Sequence, residues 1–293
     1  MGVRLTAVVI AILLALDGGS LAQRADGNAA VVADTEAFFA NVRANLIRAQ
    51  RATHHFSYKE RRTRFHTNPF GRLGTDGDEL IQVFPSINPK LTYRRVLARD
   101  GQALSAAELA RQDREYQARS ASVRRRLQNE TAADRRRRLD EEQQARLRAR
   151  TMIEDVVAAL DFTIAGRRDL DGRPAIAVTF AGDPAARPTT REGRIAQKFA
   201  GTAWIHPEQH EVMHVAARAT DDISFGYGII ARLNEGTTAS LTRQPIEPDL
   251  WMPTAVRLSG DGRAVLQLRK LEVDFAVDWF DYQRFDGRVP IAP

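Results

Sequence analysis

The string His210-Glu211-Val212-Met213-His214 sets two histidines four residues apart with a glutamate beside the first. On a helix, positions i and i+4 share a face, so the two imidazoles could hold zinc while the glutamate takes a proton from a metal-bound water. On a strand the same string fails: His210 and His214 still share a face, but Glu211 alternates to the other side. The flanking residues favour the strand. Trp204 and Ile205 form one arm of a hairpin, Pro207 takes a favoured turn position, and Val212, Met213 and Val215 form the second arm. No Gly-x-x-His continuation follows, and no helix offers a third ligand. Coincidence is the simpler account, His210 and His214 stay only as an outside metal pair, and no cofactor is expected.

Other reactive patterns are scarce. His54 and His55 point to opposite faces if extended and cannot chelate together; with His66 and His206 they read as surface or edge residues. No serine stands in a Gly-x-Ser-x-Gly elbow, and Gly226-Tyr227-Gly228 is too short a glycine signal to cradle a phosphate. The chain has no cysteine, which excludes disulfides, thiol catalysis, Cys-ligated zinc and an N-terminal lipid anchor on cysteine. These exclusions point away from an enzyme.

The start of the chain reads as a targeting signal. Arg4 precedes an apolar run over Leu5–Leu16, Asp17-Gly18-Gly19 breaks it, and Ser20 and Ala22 are small residues suited to a cut after Ala22. The run is shorter than the roughly 20 residues needed to span a bilayer. Residues 1–22 are therefore expected to be a secretory signal peptide and the remainder a periplasmic protein.

The elements that would position any site follow in order. Over Ala30–Ala52, Val31, Phe38, Val42, Leu46 and Ala49 recur at helical spacing, with acids early and arginines late, as the helix dipole prefers. Residues 54–66, 79–84 and 91–98 read as strands. Ser105-Ala106-Ala107-Glu108 is a capping box that opens a helical segment reaching about Leu160. Its runs Arg124–Arg126 and Arg135–Arg138 alternate with acids, giving pairs such as Asp134/Arg138 and Glu142/Arg146. This predicts a solvated helix or helical hairpin projecting from the body, with Met152–Leu160 returning to the core. The interleaved acids and the single aromatic Tyr116 argue against nucleic acid, although Lys+Arg (43) exceed Asp+Glu (37) for a net charge of +6.

Residues 162–168 and 174–180 read as a hairpin across Asp169–Gly172, and 191–199 as a short helix or an extended lead-in. Gly201–Phe285 then reads as an antiparallel meander: Gly201–Ile205, His210–Thr220, Tyr227–Leu233, Thr237–Gln244, Trp251–Ser259 and Arg263–Phe285. Its turns are His206–Gln209, Asn234–Gly236 and Gly260-Asp261-Gly262, the last on the strength of Asp-Gly between alternating runs.

Several of these segments resemble a known group. Gly201-Thr202-Ala203-Trp204-Ile205, His206-Pro207-Glu208, Val215-Ala216-Ala217-Arg218, Asp221-Asp222-Ile223, Gly226-Tyr227-Gly228, Trp251-Met252-Pro253-Thr254 and the ending Phe280–Phe285 are similar to the outer-membrane lipoprotein-sorting proteins of the LolA/LolB-like superfamily, which also includes MucB/RseB-type sensor domains. The resemblance covers about Phe162–Phe285, and the charged segment at about 105–150 departs from it as an insertion. It implies an α+β, mainly antiparallel fold: a curved, open half-barrel sheet packed on helices, formed by residues 23–293 as one domain. It also implies a cavity for lipid or lipoprotein acyl chains, gated by the helix at 30–52 or 152–160. Candidate lining residues are Phe180, Trp204, Ile229, Leu233, Trp251 and Phe275. One slip of register would reverse every face assignment. The alternative is a periplasmic sensor or interaction protein whose arginine-rich arm meets an envelope protein or a membrane surface.

Overall fold

The computed structural model describes residues 34–67, 73–225, 231–264 and 269–290. The signal segment, residues 30–33 of the first helix, Ile229 and much of Tyr227–Leu233 lie outside them. Most strands run antiparallel, in one open sheet whose hydrogen-bonded order is Gln102–Ala103 (β4), Tyr93–Arg99 (β3), Leu73–Phe84 (β2), Phe56–Thr67 (β1), Arg269–Arg284 (β13), Leu250–Ala264 (β12), Thr238–Glu247 (β11), Val212–Ala219 (β8), Phe199–Ile205 (β7), Arg173–Gly182 (β6) and Leu160–Leu170 (β5), with Ile223–Phe225 (β9) and Ala231–Leu233 (β10) off this path. The chain divides into two compact units. One comprises Met1–Gln50, Phe65–Asp76 and Arg150–Ala276, and the other Arg51–Arg64, Gly77–Ala149 and Val277–Pro293.

The first unit carries most of helix α1 (Thr35–Ala52). Asp34 starts it, its carboxylate accepting from the Ala37 amide at 2.9 Å. The apolar stripe read from the sequence is buried: Phe38, Phe39, Val42, Leu46 and Ala49. Strands β5 (Leu160–Leu170) and β6 (Arg173–Gly182) form the expected hairpin. Asp171 and Gly172 both take positive φ, 52° and 79°, as a two-residue primed turn requires. Strands β7 (Phe199–Ile205), β8 (Val212–Ala219), β11 (Thr238–Glu247) and β12 (Leu250–Ala264) extend this sheet. Short strands β9 (Ile223–Phe225) and β10 (Ala231–Leu233) leave it between β8 and β11.

Here the simple ladder of hairpins needs correction. Strand β11 returns beside β8, while β10 pairs with the far end of β12, Leu233 opposite Gly262. Gly260-Asp261-Gly262, expected as a hairpin turn, lies inside β12. Its glycines serve close approach: a Cβ on Gly260 would crowd the Thr237 side chain, and one on Gly262 would run into the Arg232 carbonyl oxygen. The side chain of Asn234 donates to Asp261 at 2.7 Å and closes the same corner. Asp-Gly here marks the place where β12 changes neighbours.

In the second unit, β1 (Phe56–Thr67) and β13 (Arg269–Arg284) pair antiparallel over Phe56–Arg62. Strands β2 (Leu73–Phe84), β3 (Tyr93–Arg99) and β4 (Gln102–Ala103) continue to the edge. Helices α2 (Ala106–Gln128) and α3 (Ala132–Ala158) form the charged helical hairpin, and α2 begins with the capping box at Ser105 and Glu108. The expectation of a freely projecting arm is corrected for α2. Tyr116 stacks on Tyr93 with ring centroids 4.3 Å apart. Asp113 accepts from the Tyr93 hydroxyl at 2.5 Å and from Arg95 at 2.7 Å. The Gln112 amide both accepts from the Val96 N–H and donates to its carbonyl, taking the place of a neighbouring strand at an edge. These bonds dock α2; Leu139 and Leu147 of α3 stay half-exposed. At the far end of α3, in the first unit, Val156 and Val157 are buried as expected. Among the described residues no helix is long and apolar enough to cross a membrane.

Replacing Gly262 by alanine should destabilise the fold by about 1–3 kcal/mol through the forced shift of β10. A thermal melt should show the midpoint falling by several degrees; an unchanged midpoint would return this segment to an exposed turn.

Candidate functional site

Antiparallel register decides what each face of the first unit presents, because directly opposed residues point the same way. One row across six strands reads Phe162, Phe180, Gly201, Ala217, Ala239, Leu258, and the next reads Ile164, Val178, Ala203, Val215, Leu241, Val256. Both are apolar throughout. The row between them, on the opposite face, reads Thr163, Thr179, Thr202, Ala216, Ser240, Arg257. The sheet thus has one apolar and one hydroxyl-rich face. Gly201 keeps the apolar side open to Phe180, whose ring tip a Cβ there would press at 2.8 Å.

Helix α1 meets the apolar face. The Phe39 ring lies 6.4 Å from Phe162, which lies 6.2 Å from Phe180; Phe38 sets its edge 5.4 Å from the His210 ring. Polar bonds fasten the middle of the helix to the β7–β8 connection. Asn45 donates to the carbonyls of Gln209 at 2.7 Å and His210 at 3.1 Å. Arg48, itself 51% exposed, reaches Glu211 at 3.3 Å.

Glu211 is the hub of this fastening. Its side chain is 1% exposed and pairs at 2.9 Å with Arg243, which is 3% exposed. Arg243 also donates to the carbonyls of Val212 at 3.3 Å and Trp251 at 2.7 Å, so one guanidinium joins β8, β11 and β12. Burial pushes the Glu211 carboxyl above its ordinary range, and the two arginines oppose that rise. The connection before it is built by His206, whose Nδ1 accepts from the Glu208 and Gln209 amides.

The histidine string therefore lies in a turn and a strand, as the hairpin reading expects. His210 closes the turn at φ 54°, and its Glu211 neighbour is committed to two arginines. His214 sits on β8 with Nδ1 3.0 Å from the Thr242 hydroxyl and its ring 5.4 Å from Trp204. The helix on which zinc hydrolysis depends is not formed by these residues.

Of the six candidate lining residues, Ile229 lies outside the described residues and the other five fall in different places. Phe180 is on the apolar face. Trp204 is not: Gly201 opposes Phe180, and Trp204 follows three residues later on a regular strand, so it points to the other side. There it packs against a cluster of Ala175, Met213 and Trp251. Trp251 donates its indole N–H to Gln209 at 3.0 Å. Leu233 is buried on β10 and Phe275 on β13, where Leu271, Val273 and Phe275 alternate with exposed acids. Sequence reasoning passed over the smaller residues that build the apolar rows, Ala203, Val215, Leu241 and Val256. Their alternation is present in the sequence, but small apolar residues alternate in many strands and do not by themselves mark a face.

No protein-family profile and no curated protein matches the chain. Among solved structures, a DUF1329 family protein from Desulfovibrio piger is similar at 11% identity, covering 85% of this chain and 94% of its own, with a TM-score of 0.31. An outer membrane lipoprotein-sorting protein domain from Vibrio parahaemolyticus is similar at 11% identity, covering 85% and 95%, with a TM-score of 0.28.

Two outcomes follow from the buried charges and the half-buried imidazole of His214. Glu211→Gln strands Arg243 and should cost about 3–5 kcal/mol by chemical denaturation, whereas Arg48→Ala, at an exposed partner, should cost about 0–1 kcal/mol. Burial holds the His214 pKa below its ordinary value, with Asp171 opposing. The folded protein then binds fewer protons than the unfolded chain just below about pH 6.5, so stability rises with pH through that window and levels off above it. The stability advantage of the native protein over His214→Gln should shrink on acidification below this point, measured by denaturation at several pH values.

Proposed function

We infer that this chain is a carrier, not an enzyme, which holds an apolar ligand against the apolar face of its first unit, with α1 as the movable cover. The observation that carries the reading is the pair of uninterrupted apolar rows beneath a helix whose hold combines its apolar stripe, Phe38 to Ala49, with a few polar bonds at one turn. An amphipathic cover of this kind exchanges its own aromatic contacts for those of an incoming chain, so opening need not expose the face to water. Lipid or a lipoprotein acyl chain fits such a face in shape and polarity. The signal-like start suits a periplasmic setting, where such ligands must cross an aqueous space. An envelope protein or membrane-surface partner would meet α3, an arginine-rich helix on which Leu139 and Leu147 are half-exposed.

The absence of native cysteines makes a direct test practical. In the double variant Asn45→Cys with Gln209→Cys, a reducible crosslink should lock α1 in place. Uptake of a fluorescent fatty acid should fall to background in the locked protein and return on reduction. Equal uptake in both states would overturn the cover and the face it guards.

A further inference from the structure

A second feature lies wholly within the second unit. A cleft of about 460 Å³ is lined by Pro89, Lys90, Thr92, Arg94, Arg119 and Val123. Three of the six are cationic and none is acidic. We propose that this cleft binds a small ligand bearing a phosphate ester, with Lys90, Arg94 and Arg119 receiving the phosphate.

The cations are differently prepared. Arg94 is oriented by Glu60, a carboxylate with a side chain 7% exposed, through a bond of 2.7 Å from one terminal nitrogen. A side-chain hydrogen bond with Tyr58 holds the same guanidinium from a second group, so its orientation is fixed before any anion arrives, as a preorganised receptor requires. Arg119 lies over the Tyr116 ring, 5.5 Å from its centroid, and Tyr116 is itself anchored by its hydroxyl to the Leu91 carbonyl at 3.2 Å. Among the described residues neither Lys90 nor Arg119 has a carboxylate within ion-pair distance, so two positive charges at the cleft await an anion. The floor is also held. Asn88 caps the short 3-10 turn Pro89–Leu91 by accepting from the Lys90 amide at 3.1 Å. The Thr92 hydroxyl accepts from the Ser86 amide at 3.1 Å, which leaves its own hydrogen to donate. Pro89 and Val123 supply apolar wall for the organic part of the ester. The volume exceeds what bare phosphate needs and suits a phosphorylated headgroup or a small soluble ester.

The two sources are separable with the full-length protein. Titration with glycerol phosphate by calorimetry tests the soluble ester, and cosedimentation with phosphatidylglycerol vesicles, against phosphatidylcholine vesicles, tests the lipid headgroup. Saturable binding to either probe is expected, weakened about tenfold by Lys90→Gln and by Arg119→Gln separately, the scale of one lost charge-assisted hydrogen bond. Arg124→Gln, which removes a neighbouring helix charge outside the cleft, should leave it unchanged. Binding of vesicles alone would assign the cleft to a membrane headgroup, and binding of both to phosphate esters at large. No saturable binding to either probe, or equal weakening by Arg124→Gln, would overturn the proposal. None of these readouts depends on fatty-acid uptake, so the carrier reading and the cleft stand or fall separately.

Discussion

Glu211 and Arg243 are two full charges taken almost completely out of water, and the first unit is arranged so that neither is left alone. Burying either ion costs several kcal/mol, which their mutual attraction offsets only if the remaining donors and acceptors are also met. Arg243 meets that condition by sharing its fork between the carboxylate and the carbonyls of Val212 and Trp251. Because these groups belong to β8, β11 and β12, a shift of any one strand by a single residue would strand a charge. The pair thus specifies register as much as it contributes stability.

Register in turn decides which residues share a face. With β5 to β8, β11 and β12 fixed, every second residue lands on one side, and apolar rows separate cleanly from a row of threonines and serines. Helix α1 joins the same network at its other end, since Arg48 shares the Glu211 carboxylate that Arg243 holds. The contact most open to solvent is therefore the one that fastens α1, while the contact that fixes the sheet is sealed. Such a division allows a helix to move without disturbing the strands beneath it.

The second unit handles a different constraint, the exposed edge of a short sheet. Strand β4 pairs with only two residues of β3, and Gln112 satisfies the backbone of Val96 beyond it. Stacking of Tyr116 on Tyr93 and the Asp113 bonds then hold α2 close enough for Arg119 to overhang the turn at Pro89–Leu91. The Tyr93 phenol is kept protonated by burial and by Asp113, which holds its pKa above the ordinary value. A helix rich in arginine becomes, by this docking, one wall of a basic cleft.

The residue sequence by itself determined the elements whose signals are local. The stripe from Phe38 to Ala49, the capping box at Ser105, the primed turn at Asp171-Gly172 and the alternation of Leu271, Val273 and Phe275 each follow from nearest neighbours and backbone preference. It also indicated that His210–His214 would not form a zincin helix. The tertiary structure alone decided that Gly260-Asp261-Gly262 runs through β12, because the crowding that selects those glycines comes from Thr237 and Arg232. It alone set Phe180 and Trp204 on opposite faces, since facing depends on which residues pair across strands. Likewise it turned Glu211 from a suspected base into half of a buried ion pair, because Arg243 lies 32 residues away. Local preference reads out over a few residues; partnership at a distance exists only once the chain has folded.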